Sequence, residues 1–316
     1  MVKKMPLAFA LFALCVGAMQ LFAAPARSEE VFYDSIGTGG RDRHFTLVLP
    51  DGAPRGRPMP TVVALHGGFM NGKSMRRIFG LDELARQDRF AVVYPDAVGR
   101  RWNNGISGDG DGDGADDVRF LRNLADHLVR KGVADPKRIY LVGISNGGMM
   151  TYRVACQAPG VFAAFAAVIA NMPKLVSNDC RPGVGTPLIV INSTDDPVNP
   201  YEGGDVASWS AGEVLSTLDT VDFWQRRNGC AGRSQEKPLP DKDNSDGSTV
   251  VARQFAECRT GAPVVLLTVQ GGGHLPPGAQ INHRPMLRAM LGRANQDISA
   301  ADISWKFFKR FPAVTQ

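Results

Sequence analysis

The sequence predicts an α/β fold, a mostly parallel sheet with helices on both faces. Three observations predict it. Short aliphatic and β-branched runs alternate with stretches of helical spacing along most of the chain. The polar residues best suited to chemistry stand directly after those runs, at the strand ends where parallel sheets hold ligands. The run Arg138-Ile139-Tyr140-Leu141-Val142 enters Gly143-Ile144-Ser145-Asn146-Gly147, and a helix-like stretch leaves it.

Each element follows from its pattern. Residues 44–50 and 61–66 read as strands, 81–86 as a short helix, and 90–95 as a buried strand ending at Asp96. In the helix 116–131, Val118, Leu121, Leu124, Ala125 and Leu128 fall on one face. A strand at 138–144 leads into a helix at 147–158, and apolar strands follow at 162–170 and 187–192. Helical spacing covers 210–227, strands are expected at 250–258 and 263–269, and helices at 285–293 and 300–311. The polar stretch 241–248, next to Pro238 and Pro240, reads as a loop between two elements, and no internal repeat appears.

Residues 1–26 read as an export signal. Lys3 and Lys4 precede an apolar run from Leu7 to Ala24, and Ala24-Pro25-Ala26 has the small-x-small form of a cleavage site. The run is near the lower length limit for a membrane span, so cleavage is the expected outcome. Cys15 follows Leu14, not a small residue, which argues against a lipid-modified terminus. Residues 27–316 then form one catalytic domain, large enough for a continuous core. The formal net charge of +5 loses only those two lysines, and no basic cluster interleaves with aromatics. This excludes a nucleic-acid footprint. Cys156, Cys180, Cys230 and Cys258 remain, an even count that suggests two disulfides in an oxidising compartment. Of three connectivities, the nearest-neighbour pairing Cys156–Cys180 and Cys230–Cys258 is expected. No zinc-type spacing appears.

The strand–Gly-x-Ser-x-Gly–helix pattern is that of a nucleophile elbow, a sharp turn that lifts the Ser145 hydroxyl above the sheet. A serine hydroxyl needs a base, and the base works best when a carboxylate holds its tautomer. His274 follows a strand within Gly271-Gly272-Gly273-His274 and is the expected base, with His283 the alternative. The acid falls between them in Ile191-Asn192-Ser193-Thr194-Asp195-Asp196-Pro197, giving the order Ser, Asp, His of α/β-hydrolases. Asp196 is favoured over Asp195 because Pro197 fixes its backbone direction. The oxyanion donors are expected to be the N–H of Asn146 and one N–H from Leu65-His66-Gly67-Gly68-Phe69, Gly68 first and Phe69 second.

The segments LHGGF, RIYLVGISNGGMM, DDPVNPYEGG and GGGH resemble the exported esterases grouped as polyhydroxybutyrate depolymerase and feruloyl esterase relatives, with acetyl xylan esterase-like members. The resemblance runs from about His66 to His274. It implies an α/β-hydrolase fold and the roles given to Ser145, Asp196 and His274, since the family's acid precedes a proline as Asp196 precedes Pro197. It also makes Trp102 a candidate pocket wall, a core position being the alternative, and gives the helix start at Asp116-Asp117 a capping role. The loop Asp109-Gly110-Asp111-Gly112-Asp113-Gly114 looks like a calcium loop. Its twelfth position is Phe120 where an EF-hand has Glu, so an acidic surface loop near the cleft, with no metal, is the expected reading and a structural calcium site of another type is the alternative.

The resulting expectation is an exported serine esterase that needs no cofactor and has no membrane partner once the signal is removed. Its substrate is a small or polymeric ester: short-chain, hydroxycinnamoyl or polyhydroxyalkanoate. A secreted serine peptidase and a non-catalytic polymer-binding hydrolase-like protein are the alternatives.

Overall fold

The computed structural model describes residues 29–53, 56–107, 112–183, 185–207, 212–231, 234–279 and 285–311. The signal segment 1–26, Asp109 to Asp111 and the alternative base His283 lie outside the described residues.

The chain begins with an antiparallel pair, β1 (Glu29–Thr38) and β2 (Arg41–Pro50), followed by β3 (Met59–Leu65). Two short helices, α1 (Gly72–Phe79) and α2 (Leu81–Asp88), lead to β4 (Ala91–Pro95). Then come α3 (Asp117–Arg130), β5 (Ala134–Ile144), α4 (Asn146–Gln157), β6 (Ala164–Val168), α5 (Lys174–Asp179) and β7 (Leu188–Ser193). A small two-stranded sheet, β8 (Gly204–Asp205) with β9 (Glu213–Val214), precedes α6 (Thr217–Asn228). The chain ends with β10 (Gln235–Pro238), β11 (Thr249–Phe255), β12 (Val264–Gln270), α7 (Pro285–Leu291) and α8 (Ala300–Phe308).

The main sheet has ten strands in the order β1-β2-β4-β3-β5-β6-β7-β12-β11-β10. The block from β4 to β12 is parallel, and the strands outside it pair antiparallel. This is an α/β-hydrolase sheet, and its parallel centre is covered on both faces. Strand alternation sorts the core. Val63, Leu65, Leu141, Ala167, Val190 and Leu266 point to one face, where Leu121, Leu124 and Trp224 pack. Their neighbours Val62, Ala64, Tyr140, Val142, Ile189 and Ile191 point to the other, against Phe90, Trp305 and Phe308. On that second face Trp305 stacks on Phe90 with centroids 3.9 Å apart, and Phe308 stacks on Tyr140 at 5.0 Å.

Caps set several helix starts. Asp116 accepts the Arg119 N–H at 2.9 Å, Ser216 accepts the Asp219 N–H, and Ser299 accepts the Asp302 N–H. Asp117 caps nothing. It is buried and bonded to the Arg43 guanidinium at 2.6 Å. The helix expected over 210–227 is shorter than its pattern. Ser216 caps it at Thr217, and Glu213–Val214 pairs with Gly204–Asp205. Gly212, at φ 156, presses against the Ile106 carbonyl and sends the chain into that strand. Disulfides join Cys156 to Cys180 and Cys230 to Cys258, tying the ends of α4 and α6 to later loops. They close spans of 24 and 28 residues, worth roughly 2–4 kcal/mol each. Among the described residues, no helix is long and apolar enough to cross a membrane.

Candidate active site

The site is built at the carboxyl end of β5. Ser145 sits between β5 and α4 at φ 52, ψ −119, a conformation that costs a non-glycine residue about 1–3 kcal/mol. Its N–H donates to the Val168 carbonyl at 3.0 Å, which holds the turn against β6. Two neighbours have no room for a side chain. A Cβ on Gly143 would stand 2.1 Å from the Gly147 carbonyl oxygen. A Cβ on Gly147 would stand 2.5 Å from the His66 oxygen and 2.6 Å from that of Leu65. The flanking glycines thus let three backbone segments meet under the serine.

His274 reaches the serine from the loop after β12. Its Nε2 lies 2.8 Å from Ser145 Oγ, and its Nδ1 donates to Asp196 Oδ2 at 2.7 Å. A neutral ring therefore carries its proton on Nδ1 and presents a lone pair to the serine hydroxyl. Gly273 seats that loop, since a Cβ there would stand 2.2 Å from the Leu291 carbonyl oxygen. Asp196 is buried, and its Oδ1 accepts the N–H groups of Val198 and Asn199, each at 2.8 Å. Asp195 is exposed and accepts instead from the Thr194 hydroxyl. The structure thus brings Ser145, Asp196 and His274 together and leaves Asp195 outside.

The loop after β3 packs on the elbow, and among the described residues the N–H groups of Gly68 and Asn146 meet no acceptor within the chain. Asn146 begins α4, where first-turn N–H groups point outward and the helix dipole favours negative charge. Phe69, the second choice for a donor, is not free to act as one. Its N–H is bonded to the Arg100 carbonyl at 2.9 Å.

Trp102 does not line the cleft. It is fully buried, stacks near Phe120, and donates from Nε1 to the His66 carbonyl at 3.0 Å. The large ring fills the space behind the site because its apolar body finds the core and its one donor finds a carbonyl. Sequence reasoning also missed the side-chain roles of a set of polar residues behind the loop that follows β3. His66 is fully buried. Its Nδ1 donates to the Gly67 carbonyl at 2.7 Å and its Nε2 accepts the Ala97 N–H at 3.1 Å. Burial holds its pKa below the usual histidine value. The Asn146 side chain accepts the Trp102 N–H at 2.7 Å. Asp117 accepts the Asn103 N–H, and burial raises its pKa against the pull of Arg43. On the acid side, Asn199 accepts the Asn171 N–H, and Asn171 accepts from Asn192 at 2.7 Å. Of these, His66, Asn146 and Asn171 stand within three residues of a strand end, a weak signal, while Asp117, Asn192 and Asn199 had none.

The cleft above Ser145 has a volume of about 440 Å³. Ile106, Met149, Ile169, Val206 and Leu275 make it apolar, and Phe69 and Met290 stand at its rim. Among the described residues, no cluster of three His, Cys, Asp or Glu side chains is placed to hold a metal ion.

The fold and this geometry define the class as α/β-hydrolase. The model of the prolyl oligopeptidase family matches residues 87–179, the stretch that contains the elbow. "Putative esterase NocK" of Nocardia uniformis subsp. tsuyamanensis is 32% identical over 285 residues, 85% of this chain and 79% of that protein. "Feruloyl esterase B" of Piromyces equi is 28% identical over 240 residues, 73% of this chain but only 42% of that protein. The solved acetyl xylan esterase from Aspergillus awamori superposes with a TM-score of 0.61 at 14% identity, over 89% of this chain and 99% of that one, and shares the fold. The chain belongs to the α/β-hydrolase esterase family that includes feruloyl and acetyl xylan esterases, and it is a serine carboxylic-ester hydrolase.

Proposed function

We propose that the protein is an exported esterase in which Ser145 attacks the ester carbonyl carbon. His274 Nε2 takes the hydroxyl proton as the Oγ–C bond forms, and Asp196 stabilises the resulting imidazolium. The Gly68 and Asn146 N–H groups hold the oxyanion. Collapse of the tetrahedral intermediate breaks the ester C–O bond, and His274 returns the proton to the leaving alcohol. Water, deprotonated by His274, then attacks the acyl-enzyme; the acid leaves and Ser145 regains its proton. The observation that supports this most is the chain of contacts at 2.8 Å and 2.7 Å running from Ser145 through His274 to Asp196.

The substrate class we propose is a short-chain, hydroxycinnamoyl or hydroxyalkanoate ester. The apolar cleft of about 440 Å³ and the feruloyl and acetyl xylan esterase relatives support it. Export is supported by the leader-like residues 1–26 and by two disulfides. The test is hydrolysis of p-nitrophenyl butyrate, methyl ferulate and suspended polyhydroxybutyrate by the native protein and by Ser145→Ala. Turnover of at least one ester, lost in the variant, is expected. Folded native protein that leaves all three intact would overturn the reading. A peptidase is the second reading, favoured by the family match over residues 87–179, and cleavage of proline-containing peptides without ester turnover would establish it.

A further inference from the structure

The cleft has one permanently charged side chain among its described lining residues, Arg101. The buried Arg43, by contrast, is paired with Asp117. Arg101 has no carboxylate and no hydrogen-bond acceptor for its guanidinium among the described residues, although it is partly shielded from water. Its guanidinium rests over the Phe69 ring, 5.5 Å from the centroid, at the same rim. A cation–π contact of this kind is weak when exposed, so it parks the group without satisfying its five donors. The cleft walls are apolar, which strengthens any charge pairing made inside them.

We propose that Arg101 selects ester substrates that carry a carboxylate away from the scissile bond. The planar fork of the guanidinium matches a carboxylate in two parallel hydrogen bonds, while the apolar walls take the carbon skeleton. The carboxylate sits on either the acyl or the alcohol portion, and oligomers of hydroxy acids with a free acid end have this form. The inference rests on ester hydrolysis at Ser145.

The experiment compares two pairs of aryl esters matched in shape. In the first, 4-carboxyphenyl butyrate against 4-carbamoylphenyl butyrate, the charge is on the alcohol side. In the second, mono-4-nitrophenyl suberate against 4-nitrophenyl octanoate, it is on the acyl side. The native protein is expected to favour the charged member of one pair by about tenfold or more in kcat/KM, as suits a charge-assisted bond. The preference should shrink as salt rises from 0.02 to about 0.5 M, vanish in Arg101→Met, and return in part in Arg101→Lys. Folding of each variant is checked by its thermal midpoint. No preference in either pair, or a preference that survives in folded Arg101→Met, overturns the proposal. Absence of turnover on all four esters by folded native protein overturns the esterase reading itself, and this inference with it.

Discussion

The floor of the site and its rim are built on opposite principles. On the floor, backbone meets backbone with no room to spare: the Cβ positions of Gly143 and Gly147 fall 2.1–2.6 Å from carbonyl oxygens of neighbouring segments. At the rim, Phe69 is 53% exposed and Met290 63% exposed, and the Arg101 guanidinium rests on the Phe69 ring with no carboxylate or hydrogen-bond acceptor among the described residues. The difference teaches where each property of the enzyme resides. Chemistry needs atoms fixed within a fraction of an ångström, so it is set by contacts that tolerate no change. Substrate choice needs surface, so it is left to side chains that touch little else.

The largest effects should come from the floor. Gly143→Ala places a methyl carbon inside contact distance of the Gly147 carbonyl and of Thr151, which itself bonds that carbonyl. Neither β5 nor α4 can move without losing the elbow. A loss of at least about 4 kcal/mol in denaturant unfolding is expected, and a stable, active Gly143→Ala would end the claim that the floor is rigid.

Asp196→Asn separates chemistry from stability. The amide oxygen still accepts from the Val198 and Asn199 N–H groups, so the loop keeps its anchor. The amide nitrogen then faces His274 Nδ1, which must give up its proton and place it on Nε2, the nitrogen that should accept from Ser145. A fall in kcat of about 10⁴-fold is expected with the thermal midpoint nearly unchanged. A drop below tenfold in burst and steady-state assays would remove Asp196 from the role given to it.

Behind the floor, the effects become those of single hydrogen bonds. Trp102→Phe removes the Nε1 bond to the His66 carbonyl and leaves that buried acceptor without its donor. A loss of about 1–3 kcal/mol is expected, with kcat reduced more than KM because the Gly67-Gly68 loop loses its brace. His66 adds a pH dependence of definite sign. Its folded pKa is lowered by burial, so the unfolded chain binds the proton more readily. The stability it contributes is complete above its unfolded value of about 6.5 and is lost as pH falls below it. Unfolding curves from pH 7.5 down to 5 should show the decline, and it should be shallower in His66→Asn.

The same contrast explains what the sequence made legible. The inner strands bury both faces, so Val62-Val63-Ala64-Leu65 and Leu141-Val142 stand out as apolar runs. The floor was legible because its chemistry demands glycine and serine at fixed spacing. The edge strand Glu29–Thr38 went unread because it is half exposed on both faces, with Tyr33 75% exposed, and has no alternation to find. Gln235–Pro238 at the other edge is likewise polar. Trp102 was ambiguous because a tryptophan between a cleft and a core suits either, and only its neighbours decide. The asparagines at 171, 192 and 199 brace the acid loop through contacts between segments distant in sequence, which no local pattern records. Helical periodicity over 210–227 held only from Thr217, since the contact of Gly212 with Ile106 is equally non-local.

The smallest effect on folding should come from the rim, and Phe69→Gly isolates it. Phe69 holds φ 61, a left-handed conformation that glycine adopts without penalty. The bond from its N–H to the Arg100 carbonyl involves backbone alone and survives the change. Truncation to glycine therefore removes the ring while relieving a strained backbone. Stability should stay within about 1 kcal/mol of the native protein, the relief offsetting the lost contacts. KM for an apolar ester should rise severalfold, because the ring covers the cleft mouth, while kcat changes little, because no atom of the floor has moved. If kcat for p-nitrophenyl butyrate fell as far as kcat/KM, the rim would be coupled to the elbow through Gly68, and the division between a floor that reacts and a rim that selects would have to be redrawn at that residue.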